Sequence, residues 1–159
     1  MSEPFSPLSP AETSRYARHL LLPEIGLEGQ NTLKHASVFC VGAGGLGSIV
    51  LQYLAAAGVG RIAIADPDRV ERSNLQRQTL HGEATLGQAK VDSAKVRLLD
   101  INPHLELTLY PERIDSENAL DRMRDWDVVV DGSDNFPTRY LINDACELLG
   151  KPLVYGSIY

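Results

Sequence analysis

Cysteine is scarce in this sequence: only Cys40 and Cys146 occur, with no C-x-x-C spacing between them. That excludes a disulfide framework and a cysteine zinc site within these 159 residues. Two buried thiols are expected instead, one in an apolar strand and one in a helical pattern. Long apolar runs are missing too. Nothing approaches the roughly 20 consecutive apolar residues that span a bilayer, and the first ten positions carry prolines where a secretory leader would be basic and then apolar. A cytoplasmic protein with no membrane partner is expected. Positive charge is also short, 15 Lys and Arg against 21 Asp and Glu for a net charge of -6. An extended nucleic-acid footprint is therefore not expected, although a local basic pocket is compatible with this balance. No internal repeat or low-complexity tract is evident.

What the sequence does contain is a short apolar run, Ser37 to Val41, that breaks into Gly42-Ala43-Gly44-Gly45-Leu46-Gly47 and resumes as a helical pattern. A strand running into G-x-G-x-x-G and then a helix is the arrangement a nucleotide phosphate needs. Gly42 permits the tight turn, Gly44 lets backbone N–H groups approach phosphate oxygens, and Gly47 lets the helix sit close on the strand with its N-terminus toward the anion. A second apolar run, Arg61 to Ala65, ends at Asp66, 19 residues after Gly47. An acid at this place holds a ribose hydroxyl pair in Rossmann-type units, and it argues against a ribose 2′-phosphate.

The remaining elements follow from periodicity and punctuation. Met1 to Leu8 is rich in Pro and Ser and is expected to be mobile. Ser9, Pro10 and Glu12 predict a capping box opening a helix that carries Arg15, Tyr16, Arg18 and His19 and stops at Pro23. A short helix around Leu27 to Lys34 precedes the first strand, and an apolar helix over Leu46 to Ala57 follows it. Pro67 to Gly87 is polar and long for a connection, which suggests function. Helical spacing returns over Gln88 to Leu99 and Ser116 to Arg124. Strands are expected over Leu105 to Tyr110, Trp126 to Asp131 and Leu153 to Tyr155. Asn135 caps a last helix that ends at Gly150. Strands alternating with helices give an α/β fold with a Rossmann-like, doubly wound, mainly parallel sheet in the order 3-2-1-4-5. By this division residues 1–35 form an N-terminal helical arm and residues 36–159 one nucleotide-binding domain.

G-x-G-x-x-G with a downstream acid points first to an NAD-dependent oxidoreductase. The run Asp66-Pro67-Asp68-Arg69-Val70-Glu71-Arg72-Ser73-Asn74-Leu75-Gln76-Arg77-Gln78 changes that reading, because it brings amide and guanidinium groups to the carboxyl edge of the sheet, with Lys90 following. A dehydrogenase neutralises a pyrophosphate largely with backbone. Additional cations suit a triphosphate whose charge must be stabilised as it departs.

The glycine loop, the Asp66 to Gln78 run, Gly87-Gln88-Ala89-Lys90, and Asp131-Gly132-Ser133-Asp134-Asn135 with Thr138-Arg139 together resemble the MoeB/ThiF/HesA-type activating enzymes, with the Arg15 to His19 helix and the Leu75 to His81 segment most similar to the MoeB branch. The resemblance covers nearly the whole chain. It implies ATP-dependent adenylation of the C-terminal glycine of a ubiquitin-like sulfur carrier ending in Gly-Gly, with release of pyrophosphate. It further implies that Gly42, Gly44, Gly45 and Gly47 cradle the nucleotide, that Asp66 binds the ribose, and that Asn74, Arg77 and Lys90 contact phosphates. Asp134 would hold Mg²⁺, and Arg18 would enter the site of a partner subunit in a homodimer. The family continues well past this length, with a C-x-x-C pair that binds zinc, so the sequence reads as the adenylation part of a longer protein.

Each assignment has a plainer rival. Asp66 could cap the turn after its strand, Arg77 and Lys90 could be solvated surface charges, and Asp131 and Asp134 flank a turn where Asx capping is common. Arg69, Arg72 and Arg139 read as structural or peripheral, and His19, His35, His81 and His104 as ordinary surface or helix-end residues. Besides the oxidoreductase, two other functions compete: a dehydratase acting on a modified tRNA adenosine, and a non-catalytic nucleotide-binding or dimerising subunit. The carrier's pathway, whether molybdopterin, thiamine, cysteine or thiolated tRNA, is not encoded in these motifs.

Overall fold

In the computed structural model, which describes residues 7–157, the five apolar runs form parallel strands: β1 (Ser37–Val41), β2 (Arg61–Ala65), β3 (Glu106–Tyr110), β4 (Val128–Asp131) and β5 (Leu153–Tyr155). Their spatial order is β3-β2-β1-β4-β5, as expected from the alternation of strands and helices. The central strand is buried along its whole length, and its register sets Val38 beside Ile62 and Val128, and Val41 beside Ala65 and Asp131. Because side chains alternate faces along a strand, Val38 and Cys40 point to one layer and Phe39 and Val41 to the other.

Each layer has its own helices. Helices α4 (Gly45–Ala57) and α5 (Lys90–Ile101) bring Leu51, Ala55, Val91, Ala94 and Leu98 against Val38, Cys40, Ile62 and Ile64. On the opposite face, α6 (Ala119–Met123) and α7 (Phe136–Leu149) bring Met123, Ile142, Ala145 and Cys146 against Phe39, Val41, Ala63 and Val129, with Trp126 closing that layer. A sheet covered on both sides needs continuous apolar strands at its centre, and that is why β1, β2 and β4 read as nearly unbroken apolar runs while the edge strand β3 alternates. The residues before α6 form a turn rather than helix, because the Asp115 carboxylate accepts the N–H groups of Glu117 and Asn118.

The N-terminal part differs from the expected single helix. The Ser9/Glu12 capping box forms, opening α1 (Pro10–Arg15), but the helix breaks at Tyr16 and resumes as α2 (Ala17–Leu20). Tyr16 turns into the protein, 4% exposed, against Gly58, and its hydroxyl accepts from Asn102 Nδ2 at 3.0 Å. The tertiary contact outweighs continuation of the helix. With α3 (Gly26–His35) the arm is fastened near the amino edge of the sheet: Arg15 donates to the Ile101 carbonyl at 2.7 Å, fully buried Gln30 donates to the Ala57 carbonyl at 2.9 Å, and Lys34 pairs with Glu12 at 2.9 Å. The start of the chain expected to be mobile lies, through residue 6, outside the described residues. No described helix is long and apolar enough to cross a membrane.

Candidate active site

Parallel strands all present their carboxyl ends to the same edge, and between the tips of β1, β2 and β4 lies a cavity of about 340 Å³. The glycine loop forms its floor. Gly42 has φ +92°, and a Cβ there would stand 2.9 Å from the Gly132 carbonyl oxygen, so both backbone angle and space demand glycine. A Cβ on Gly47 would meet the Gly42 carbonyl oxygen at 2.0 Å. Gly47 is thus a packing position, behind the cavity wall rather than on it. Gly44 is the N-cap of α4 and no side chain caps that helix, which leaves N–H groups of its first turn available to an anion.

Asp66, at the end of β2, is 5% exposed and lines the cavity. Its Oδ2 accepts the Ala43 N–H at 2.8 Å and its Oδ1 the Asp68 N–H at 2.9 Å. The turn-capping role weighed for this residue is present, and the same carboxylate also ties the glycine loop to β2. Lys90 opens α5 with its side chain buried, its Nζ 2.8 Å from Asp68 and 4.0 Å from Asp66. Arg77 is exposed and lines the cavity, its methylenes passing over Gly45 while Nη2 donates to Asn74 Oδ1 at 2.9 Å. Asn74 does not line the cavity. It orients Arg77. Asp134 reaches the opposite wall from the turn after β4, where Asn135 caps α7 by accepting the Thr138 N–H at 3.0 Å.

Three buried polar atoms near this edge have no protein partner: Gln78 Oε1 and Ser133 Oγ, from residues that line the cavity, and Asp131 Oδ2, from a residue only 1% exposed. Unpaired buried polar groups are costly, so their concentration here marks a surface built to meet a polar ligand. Asp131 Oδ1 accepts the Ser133 N–H at 2.9 Å, which is the Asx capping expected of that turn. Burial pushes the Cys40 thiol up to about 12, helped by the carboxylates of Asp131 and Asp66, and burial also raises Cys146. Both are packing thiols.

Two expectations are corrected. His81 is neither a surface nor a helix-end residue: it is 8% exposed, donates from Nε2 to the Ala43 carbonyl at 2.8 Å, and sets Nδ1 2.9 Å from Ser93 Oγ. Arg139 is structural, as one of its two expected readings had it, but not peripheral: it lines the cavity, where its guanidinium donates to the Ser133 carbonyl, the Tyr155 hydroxyl and Ser157 Oγ. Its place one turn into the Asn135-capped helix was the available signal; His81 had none, because its partner Ala43 is 38 positions away. Arg69 and Arg72 are structural, donating to the Gly87 carbonyl and to Glu83. Arg18 is exposed on α2, in the arm fastened near the amino edge, and is not brought to the cavity within one chain. Among the described residues no cluster of three or more His, Cys, Asp or Glu side chains could by itself hold a metal ion.

A doubly wound parallel sheet with a glycine loop and a polar cavity at its carboxyl edge defines a Rossmann-like α/β domain. The ThiF family model matches residues 16–159, and the chain belongs to that family. It is 57% identical over 148 residues to the sulfur carrier protein adenylyltransferase of Thermus thermophilus, covering 93% of this chain and 55% of that protein. It is 52% identical over 157 residues to the probable adenylyltransferase/sulfurtransferase MoeZ of Mycobacterium tuberculosis, covering 99% of this chain and 40% of that one. The chain thus spans about half or less of the length of these curated relatives. Among solved structures it is similar to the tRNA N6-threonylcarbamoyladenosine dehydratase TcdA of E. coli in complex with ATP, with a TM-score of 0.88 and 27% identity, covering 95% of this chain and 64% of that one. It is also similar to E. coli MccB with ATP, with a TM-score of 0.80 and 29% identity over 90% of this chain and 44% of that one.

Proposed function

We propose that this chain is the ATP-binding adenylation part of an enzyme that activates a ubiquitin-like sulfur carrier at its C-terminal glycine, an arm over residues 1–35 and a nucleotide domain over 36–159. The observation that carries the reading is the donor set on one cavity: uncapped N–H groups of α4, the Arg77 guanidinium, the Lys90 ammonium, and Asp134 facing them. The names of the most similar relatives support the carrier as substrate.

A polyphosphate fits these donors because backbone dipoles and two cations can distribute its charge. The carrier carboxylate oxygen attacks the α-phosphorus, the bond from that phosphorus to the bridging oxygen breaks, and pyrophosphate leaves with the electron pair. An acyl-adenylate remains. This chain's contribution is positioning and charge neutralisation. Arg77, aimed by Asn74, and Lys90 neutralise the departing phosphates, while Asp66 faces the ribose hydroxyls. Asp134 would hold Mg²⁺ together with phosphate oxygens and water, which suits a hard ion that rarely needs an all-protein cage. Arg18 would serve the cavity of a second copy in a homodimer. Zinc, if the parent protein binds it, draws its ligands from outside these residues.

The measurement is pyrophosphate exchange by the parent protein with ATP, Mg²⁺ and a carrier ending in Gly-Gly. Carrier-dependent exchange is expected, and it should fall by about 100-fold in Arg77→Ala, the usual scale for removing one preorganised donor. Absence of exchange with any such carrier, together with binding to tRNA at moderate salt, would shift the assignment to the dehydratase chemistry named for the E. coli neighbour.

A further inference from the structure

His81 is a buried titratable side chain beside the cavity that the proposed chemistry leaves without a task. It sits in the long connection between β2 and α5, three residues after Gln78, whose carbonyl accepts the His81 N–H at 3.1 Å. Its ring joins two elements that carry ligand-facing groups. On one side Nε2 meets the carbonyl of Ala43, inside the glycine loop, at 2.8 Å. On the other, Nδ1 meets Ser93 Oγ at 2.9 Å, one turn along α5 from Lys90. Ser93 is 2% exposed and lies 2.8 Å from Thr85 Oγ1, which reaches the Gly82 carbonyl at 3.0 Å. The polar chain therefore runs from the glycine loop through His81 to α5 and back into the connection.

The Ala43 residue is held on both of its polar groups. Its N–H goes to Asp66 and its carbonyl to His81. A carbonyl only accepts, so Nε2 carries a hydrogen, and the ring must stand in one orientation to deliver it. Nδ1 and Ser93 fix that orientation, much as a second hydrogen bond aims a metal-ligating histidine. Burial pulls His81 below the ordinary histidine value, with the Ala43 carbonyl acting in the other direction.

We infer that His81 is a positioning residue for the nucleotide: by holding the Ala43 carbonyl it fixes the glycine loop so that the N–H groups of Gly44 to Leu46 face the phosphates in register with Lys90. The inference rests on the nucleotide reading above for its ligand, but not for its loop. His81 itself touches no phosphate. Its action passes through the Ala43 peptide, in the way preorganised dipoles gain strength by not having to reorganise.

The experiment compares His81→Gln with His81→Asn in the full chain. The Gln amide nitrogen reaches about as far as Nε2 and can still donate to Ala43; the Asn amide reaches only the Nδ1 position and cannot. Two readouts are taken on protein whose thermal unfolding shows it to be folded: hydrogen exchange at the Gly42 and Ala43 amides without nucleotide, and ATP affinity by equilibrium dialysis. In His81→Asn the loop amides should exchange about 10-fold faster and ATP should bind about 10-fold more weakly, the scale of losing one hydrogen bond, while His81→Gln stays near the unsubstituted protein. Equal behaviour of the two variants in both readouts, or unchanged exchange in His81→Asn, overturns the inference. An exchange difference in a protein that binds no ATP would uphold the hold on the loop and overturn the nucleotide reading instead.

Discussion

Lys90 Nζ stands 2.8 Å from the Asp68 carboxylate, the ammonium buried and the carboxylate 63% exposed. The cation is therefore already paired before any phosphate arrives, and a ligand must compete with a solvated partner. Lys90→Ala should reduce carrier-dependent pyrophosphate exchange by about 100-fold. Asp68→Asn should do the opposite to ATP affinity, tightening it by about two- to fivefold, because a pair with one exposed partner is worth about 1 kcal/mol or less. Calorimetric titration of both variants with ATP checks the sign.

Gly47 cannot be replaced. A Cβ there would fall 2.0 Å from the Gly42 carbonyl oxygen, and that atom belongs to backbone already confined by Gly132. Gly47→Ala should cost about 3 kcal/mol, the upper range for forced overpacking, and lower the melting temperature by roughly 10 °C for a chain of this size. Gly44→Ala is the matched comparison. Its Cβ would meet only Gln78 Nε2, at 3.6 Å, so its melting temperature should move by no more than a few degrees.

Glu12 gives the arm an acid-sensitive anchor. Burial opposes its ionisation, but the Ser9 hydrogen bonds and the Lys34 ammonium prevail and lower its carboxyl from 4.5 to about 2. The unfolded chain then binds more protons than the folded one between these values, so the stabilisation is complete above pH 4.5 and is lost as pH falls toward 2. Glu12→Gln should destabilise the protein by about 1 kcal/mol at neutral pH, and the difference should shrink to nothing near pH 2. Urea unfolding of both proteins across that range measures it.

Cys40 and Cys146 should resist alkylation. With Cys40 fully buried and held up to about 12, its thiolate is negligible at pH 8, and Cys146 is shifted in the same direction. Neither thiol should react with iodoacetamide in the folded protein over the time in which both react fully in guanidinium chloride. Mass spectrometry of the labelled chain distinguishes them.

Strand and helix identities, their order, the capping box at Ser9 and the glycine turn were legible in the sequence because each rests on neighbours a few positions apart. The apolar runs at the centre had to be strands covered on both faces, and Gly, Pro and Asn marked where most elements stopped. Strand-end position picked out Asp66, and the resemblance of the surrounding motifs picked out Arg77, Lys90 and Asp134; the fold delivers all four to one cavity from different segments. Locality also explains the misses. The break at Tyr16 depends on Asn102, 86 positions away, and His81 depends on Ala43. No period or spacing in a single sequence encodes such pairs.

The sequence by itself therefore determined a parallel α/β sheet with an anion-seeking loop at its carboxyl edge, since hydrophobic periodicity and glycine stereochemistry act over single elements. Tertiary structure alone decided how that edge is organised. It turned Asp66 and His81 onto the two polar groups of Ala43, made Asn74 the support of Arg77, put Gly47 behind the wall, and left Arg18 away from its own chain's cavity. These are hydrogen bonds and close approaches between distant segments, and they exist only once packing has fixed where those segments meet.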